Sequence, residues 1–414
     1  MQVTYGLIGE KLGHSFSPMI HEEFGNDKYT LIPMASDKLK PFICDESFKG
    51  VNITIPYKET VMEYCDNISE EAKEIGCVNV LIKNAEGVIS GYNTDAYGMM
   101  QLLKYAKISV KGKKVLILGG GGTSLTAKYV TKKLKAKEVV VVSRKGPVNY
   151  DNLSEHTDTQ VIIDTTSVGM YPNNDGTTIN LADFPLCEGV IDVVYNPLKS
   201  DLILAAEKIG ICCAGGLYML VAQAHKAAEL FMDKKISGQE VEMVYHRLER
   251  HIKNIVLVGM PGCGKSTIGQ KLSSKLNKTF VDTDKLIEQR ARKTISEIFR
   301  EDTEIEFRKL ESEIIAEVAK CSGQIISTGG GVILNDDNVR RLQQNATVYF
   351  IDRDINELAT KGRPLSEDQE ALQKLYKTRL PRYKEAADKI MKNDTSIEAV
   401  VRRIGEVFNE DISD

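Results

Sequence analysis

The chain has no run approaching the ~18 apolar residues of a membrane span. Its first residues lack the basic start and long apolar stretch of a secretion signal. Both absences lead us to expect a soluble, cytoplasmic protein with no membrane partner. A basic surplus is also missing: 54 Lys and Arg stand against 58 Asp and Glu, a formal charge of −4. That balance argues against a nucleic-acid partner, although local arginines can still capture small anions. The eight cysteines, scattered from Cys44 to Cys321, include no CxxC pair and no Cys/His zinc spacing. They read as reduced thiols rather than a disulfide framework or a structural zinc site. No internal repeat or low-complexity tract breaks the pattern.

What is present is the material of ordinary cores: 414 residues, 42% of them hydrophobic. That length allows two to three domains of about 100–200 residues. Short β-branched runs alternate with helical patterns, which predicts α/β architecture with parallel sheet. The predicted strands are Tyr5–Ile8, Val51–Ile55, Val80–Ile82, Val115–Leu118, Val139–Val142, Val161–Ile163, Val190–Val194, Ile255–Val258, Ile325–Ser327 and Thr347–Ile351. Val221–Arg250, interrupted only by Gly238, reads as helix, and the next strand follows almost at once. We therefore expect a domain boundary near residue 251 with almost no linker.

Two glycine loops of different kinds follow two of these strands. Gly119, Gly120, Gly121 and Gly122 lie between Val115–Leu118 and the helical pattern starting at Thr123. Such glycines let backbone and a helix N-terminus approach the diphosphate of a dinucleotide. Ser143, Arg144 and Lys145 close the next strand, where a dinucleotide fold meets the adenosine ribose. Positive charge there suits a 2′-phosphate, which favours NADP(H) over NAD. The second loop, Gly259 to Ser266, matches the full G-x-x-x-x-G-K-[ST] pattern of an ATP site. Backbone amides from Gly262, Cys263, Gly264 and on to Thr267 would cradle phosphates. Lys265 would neutralise them, and Ser266 would ligate Mg²⁺.

Ahead of the first loop stand polar residues in apolar surroundings: His14 to Pro18, Asn52 and Thr54 on one strand face, Lys58, Asn79, and Asn93 to Asp95. Together they offer the hydroxyls, amides, amine and carboxylate that a polyol needs. The motifs here are the S-x-S-P core at Ser15, N-x-T-x-P-x-K at Asn52, and Ile75-Gly76-Cys77-Val78-Asn79. They continue with Gly91-Tyr92-Asn93-Thr94-Asp95, Thr166-Ser167-Val168-Gly169-Met170, Tyr195-Asn196-Pro197 and the run from Gly215 to Gln223. By these motifs residues 1–250 resemble shikimate dehydrogenase. The resemblance implies that Ser15, Ser17, Asn52, Thr54, Asn79, Asp95, Tyr195 and Gln223 hold substrate, with Lys58 and Asp95 as the catalytic pair. It also places Gly215 beside the cofactor. A lysine ammonium next to a reduced ketone can stabilise and protonate the alkoxide. Asp164 stands where the family usually has Asn, and Ser143 replaces a frequent Asn; both departures bear on cofactor affinity.

Downstream of the ATP loop, Phe280-Val281-Asp282-Thr283-Asp284 ends a strand with two carboxylates expected on one side. Arg308 sits in a helical stretch, Thr328 to Gly331 close another strand, Arg363-Pro364-Leu365 lie in a polar insertion, and Arg379 follows. In this order the motifs resemble shikimate kinase over about residues 252–414. The resemblance implies that Asp284 binds and polarises the substrate hydroxyls and that Asp282 serves the Mg²⁺ shell. Arg308 and Arg379 would fork onto the substrate carboxylate, Gly330 and Gly331 would lie beside the ring, and Arg363 would close over the transferring phosphoryl group. The lid departs from the family: Lys361 stands in a stretch that commonly holds another arginine.

The combined expectation is an α/β substrate domain (about 1–103, with helices returning over about 219–250), a Rossmann NADP domain (about 104–218), and a P-loop α/β kinase domain with parallel sheet (252–414). Its expected work is NADPH-dependent reduction of 3-dehydroshikimate to shikimate, then Mg-ATP-dependent phosphorylation to shikimate 3-phosphate. Two alternatives stay open at this point. The kinase half binds metabolite without turnover, or the dehydrogenase half takes quinate or an aminated analogue.

Overall fold

The computed structural model describes residues 5–13, 15–45, 48–301, 303–358 and 369–412. It forms two compact units, Met1–Tyr245 and His246–Asp414. Among the described residues no helix is long and apolar enough to cross a membrane.

The first unit contains two sheets. Strands β1 (Tyr5–Gly9), β2 (Tyr29–Pro33), β3 (Gly50–Ile53), β4 (Asn67–Ile68), β5 (Val80–Lys83) and β6 (Ile89–Tyr92) assemble in the order β2-β1-β3-β5-β6-β4. β1 pairs in parallel with β2 and β3, but β5 runs antiparallel to both β3 and β6. The antiparallel part has a local cause. Only residues 84–88 connect β5 to β6, and Asn84 Oδ1 accepts from the N–H groups of Glu86 (3.1 Å) and Val88 (2.8 Å). So short a connection permits a hairpin and excludes a crossover.

The second sheet takes β7 (Lys114–Leu118), β8 (Glu138–Val142), β9 (Val161–Asp164), β10 (Gly189–Asp192) and β11 (Cys212–Ala214) in the order β11-β10-β9-β7-β8. All its pairings are parallel. The chain leaves β7 for β8 on one side and then crosses to β9 on the other. In an open parallel sheet such a switch opens a crevice at the C-terminal strand ends, where a ligand binds.

Among its described residues the second unit has one sheet: β12 (Asn254–Val258), β13 (Thr279–Asp282), β14 (Gln324–Ser327), β15 (Ala346–Asp352) and β16 (Lys389–Lys392), in the order β13-β14-β12-β15-β16. It too is parallel throughout. Its centre is the fully buried run Ile255, Val256 and Leu257 against Tyr349, Phe350 and Tyr383. A strand apolar on both faces is what a sheet covered by helices on both sides requires.

All ten predicted strands recur within a residue or two. The sequence reading did not find β2, β4, β6, β11 or β16. β4, β11 and β16 are short, and β16 (Lys389-Ile390-Met391-Lys392) is an edge strand with lysine at each end. Charge and brevity protect an edge and erase the apolar signal.

Val221–Arg250 is not one helix. Leu217–Met232 ends at Asp233, which takes a left-handed conformation (φ 48°) and donates its N–H to the Glu229 carbonyl. Glu229 then accepts from the Ile236 N–H (3.2 Å) and from Lys226 Nζ (2.7 Å), fixing the break before a second helix, Gly238–Ile252. The expected boundary near residue 251 falls in the last turn of that helix. Lys278 Nζ caps this turn by donating to the carbonyls of Arg250 (2.7 Å), His251 (3.1 Å) and Lys253 (2.9 Å). Orphan carbonyls at a helix end are thereby satisfied by a single ammonium.

Candidate active sites

In the first unit the polar residues converge on one carboxylate. Lys58 lies beyond β3, and its Nζ donates to Asp95 Oδ2 at 2.6 Å; the side chains are 13% and 8% exposed. Asp95 opens the helix Asp95–Tyr105, so its carboxylate also sits at a positive helix end. The other oxygen, Oδ1, accepts from Asn79 Nδ2 at 2.9 Å. Asn79 is held in turn by the Thr94 N–H on its Oδ1 (2.7 Å), while the Thr94 hydroxyl lies 3.4 Å from Gln223 Oε1. Asn52 is buried next to this network, its Nδ2 3.5 Å from the Asn79 carbonyl and its Oδ1 accepting from the Tyr29 hydroxyl at 2.7 Å. Ser15 and Ser17 bond through their hydroxyls at 3.0 Å. Tyr195 is drawn to the same place: burial raises its phenol, and a hydrogen bond with Ser15 opposes that shift. Thr54 stands just past β3, its N–H on the Ile8 carbonyl at 2.9 Å.

The glycine loop is brought against this network. A Cβ on Gly122 would stand 3.4 Å from both Cβ and Cδ of Lys58, so the start of the helix Gly122–Lys133 packs directly on the lysine side chain. Gly119 has φ 115°, a region that favours glycine, while a Cβ on Gly121 would meet nothing within 4 Å. That opening lies at the start of a twelve-residue helix, with Thr123 in its first turn, and is the geometry of an anion cradle. Ser143 follows β8 and sits beside Gly120, whose Cβ would stand 3.1 Å from the Ser143 Cβ. Arg144 and Lys145 are exposed next to it. Gly215 packs on backbone, with the Leu198 carbonyl 2.6 Å from its would-be Cβ.

In the second unit the P-loop closes round its own lysine. Lys265 Nζ, nearly buried, donates to the carbonyls of Gly259 (2.9 Å) and Met260 (3.0 Å) and lies 3.8 Å from Cys263 Sγ. Gly262 and Gly264 both have positive φ (88° and 98°), and Thr267 is exposed in the first turn of the helix Lys265–Leu276. The Ser266 hydroxyl donates to Asp282 Oδ2 at 2.7 Å.

Asp282 and Asp284 do not share a strand face as expected. β13 stops at Asp282, which caps the helix Thr283–Ala291 by accepting from the N–H groups of Asp284 and Lys285. Asp284 therefore lies in the first helical turn and is separated from Asp282 by helical rather than strand spacing. It points at the glycine loop: Asp284 Oδ1 would be 2.6 Å from a Cβ on Gly329, and that oxygen is buried with no hydrogen-bond partner. Burial pushes Asp284 up to about 6, opposed by Lys265 and reinforced by Asp282 and Glu311.

Both arginines close on the same loop. A Cβ on Gly331 would collide with the Arg308 guanidinium, and Arg379 Nη1 donates to the Gly330 carbonyl at 3.0 Å. Arg308 also pairs with Glu311 (2.8 Å) and Glu304 (3.1 Å). Arg363, like His14 and Lys361, lies outside the described residues.

Sequence reasoning missed several members of these sites. Glu311, Tyr383 (hydroxyl to the Gly330 carbonyl, 2.5 Å) and Tyr29 all touch residues named above. Helical spacing held the signal for two of them: Glu311 is three residues after Arg308, and Tyr383 four after Arg379. Tyr29 carried no local signal, because its partner Asn52 is 23 positions away.

Both units match known proteins. The family model for the shikimate dehydrogenase substrate binding domain matches residues 7–81, and the model for shikimate kinase matches residues 261–409. A shikimate dehydrogenase (NADP(+)) of Clostridium perfringens is 37% identical over 269 residues, covering 59% of this chain and 98% of that protein. A chorismate mutase/shikimate 5-dehydrogenase fusion protein from Clostridium acetobutylicum superposes with a TM-score of 0.56 at 34% identity, over 60% of this chain and 98% of that one. A shikimate 5-dehydrogenase from Thermus thermophilus, solved with NADP(H) and shikimate, gives 0.53 at 26% identity over 59% and 99%. The chain belongs to the shikimate dehydrogenase family and carries, in its second unit, a shikimate kinase domain, so that one polypeptide is the enzyme of both activities.

Proposed function

We propose that the chain reduces 3-dehydroshikimate to shikimate and then phosphorylates shikimate to shikimate 3-phosphate, working in the cytoplasm on small molecules. One observation carries the reading. Each unit sets a buried group suited to proton transfer against a glycine loop: Lys58–Asp95 beside Gly122, and Asp284 beside Gly329. We assign residues about 1–103 and 219–250 to substrate, about 104–218 to NADP, and 252–414 to the kinase.

The residues present fit the groups these reactions need. The open face of Gly121 at a helix start suits a diphosphate, and the exposed Arg144 and Lys145 suit a 2′-phosphate. In the kinase, the Ser266 hydroxyl and Asp282 carboxylate are adjacent hard oxygens. Mg²⁺ takes one or two such protein ligands and completes its shell with phosphate and water. When bound, NADPH supplies hydride and Mg-ATP supplies the phosphoryl group.

Lys58 holds a proton at Nζ, aimed by Asp95, where a nascent alkoxide requires one. Asn79 keeps Asp95 fixed, while Ser15, Ser17, Asn52, Thr54, Tyr195 and Gln223 supply the remaining polar contacts. Asp284, with its free Oδ1, accepts the proton of the substrate hydroxyl. Arg308 and Arg379 offer two guanidiniums to the substrate carboxylate, across Gly330 and Gly331. Lys265 presents a positive charge to phosphate oxygens. Arg363 is proposed to close over the site.

Mass-spectrometric analysis of the chain mixed with 3-dehydroshikimate, NADPH, ATP and Mg²⁺ tests the reading. Shikimate 3-phosphate is expected. Product that stops at shikimate would refute transfer by the kinase domain.

A further inference from the structure

Two buried acids lie outside both reaction centres. Asp164 ends β9 and Asp192 ends β10, and they are direct partners in the parallel register. They are 2% and 1% exposed. Asp164 accepts from the Thr166 N–H (2.8 Å) and the Thr178 hydroxyl (2.7 Å). Asp192 accepts from the Val194 N–H (2.9 Å) and the Ser200 hydroxyl (2.5 Å). Among the described hydrogen bonds and ion pairs, neither carboxyl meets a cation.

Each carboxyl holds one wall of the dinucleotide crevice. The segment after Asp164 leads through Thr165, whose hydroxyl donates to the Leu118 carbonyl at 2.6 Å and lies 2.6 Å from the place of a Gly119 Cβ. That segment therefore rests on the first glycine of the loop. The segment after Asp192 leads to Tyr195. The two are tied together where the Tyr171 N–H meets the Asn196 carbonyl at 2.9 Å.

The geometry points to Asp164 and Asp192 as positioning residues that share one proton, such that loss of this proton at rising pH spreads the two segments and weakens NADP(H) binding. The inference rests on the dehydrogenase reading given above. Two carboxylates side by side in a dry site cannot both ionise without large cost. Burial, reinforced by the Asp164 carboxylate, pushes Asp192 up to about 7, and burial raises Asp164 as well. Among the described residues, the other titratable group that faces the pair is Tyr150, which Arg144 neighbours in turn, and Asp201 lies next to Ser200 in the chain. Tyr150 is pushed upward by burial and by Asp164, away from neutrality, with Arg144 opposing. Asp201 accepts from the Gly176 N–H at 2.8 Å. A second negative charge would also lie near the diphosphate, so repulsion and loosening act in the same direction.

Calorimetric titration of the full chain with NADP⁺ from pH 6 to 8.5 tests this, using the native protein, Asp164→Asn and Asp192→Asn. The native Kd is expected to climb through neutrality, by at most about tenfold per pH unit, and the climb is expected to be lost in both variants. Ionisation of the 2′-phosphate affects all three proteins alike and cancels in the comparison. Equal slopes in the native protein and Asp164→Asn would overturn the inference while leaving the dehydrogenase reading intact. Failure to bind NADP⁺ at any pH would instead sink that reading, and the inference with it. Carboxyl ¹³C NMR of the native protein gives a check independent of variant folding. Besides the signal of Asp284, raised to about 6, a second Asp signal titrating near neutrality is expected; its absence would overturn the shared proton.

Discussion

Both units place a lysine beside a glycine loop, yet they hold it in opposite ways. Lys58 stands outside its loop and is paired with a carboxylate at 2.6 Å. Lys265 is enclosed by its loop and, among the described residues, is hydrogen-bonded to carbonyl oxygens and, weakly, to the Cys263 thiol. A carboxylate partner cancels the charge and leaves a proton aimed in a fixed direction, which suits proton delivery. Carbonyl dipoles orient an ammonium without cancelling it, which suits attraction of phosphate. Pairing, more than residue type, therefore distinguishes the two roles.

The sharpest way to break this comparison is to remove each lysine alone. Lys58→Ala is expected to lower reduction by at least about 10²–10⁴-fold and leave phosphorylation unchanged, and Lys265→Ala to do the reverse. Separate assays on one preparation would check both; loss of both activities from either change would show that the sites are not independent. Asp284→Asn comes next, with an expected loss of about 10²–10⁴ in phosphoryl transfer. In the native kinase the acid limb of kcat/KM should lie near pH 6, because Asp284 must be ionised and burial raises it to about 6. The stability sign is opposite. A folded pKa above the ordinary value of 3.8 means the contribution is full below that value and is lost as pH rises through about 6. Asp284→Asn should thus make the kinase more resistant to urea at pH 7, by at most about 3 kcal/mol.

Smaller effects sharpen the contrast between held and free charges. Glu311→Ala removes the buried partner of Arg308 and should raise KM for shikimate about ten- to a hundredfold in the kinase assay, since truncating one member of such a pair costs about 2–5 kcal/mol, part of it offset by Glu304. Tyr29→Phe loses one hydrogen bond to Asn52. A two- to tenfold rise in KM for the dehydrogenase substrate, at nearly constant kcat, follows from about 0.5–1.5 kcal/mol. An unchanged KM would place Asn52 outside the substrate contacts.

Legibility in the sequence followed the range of each interaction. Buried central strands such as Val115–Leu118 and Ile255–Val258 announced themselves, because burial on both faces demands continuous apolar runs. The two glycine loops were equally plain, since their conformations restrict residue choice. What was hidden depended on partners distant in the chain or on local capping. The Asp282–Asp284 geometry was misread because a helix cap, not strand alternation, sets it. The break at Asp233 was missed because Glu229 makes it through its side chain and no Gly or Pro marks it. Asp164 stood out as a departure, but its register partner Asp192 became visible only once β9 and β10 were paired.

A single residue, Lys253, separates the helix Gly238–Ile252 from β12. Its N–H and its ammonium are both engaged by Glu249, at 2.9 and 3.1 Å. A protease needs a stretch of extended, unbonded chain to enter its cleft, and none exists at this junction. The two activities are thus made in equal number, and the helix and strand that span residues 238–258 offer no such stretch for parting them.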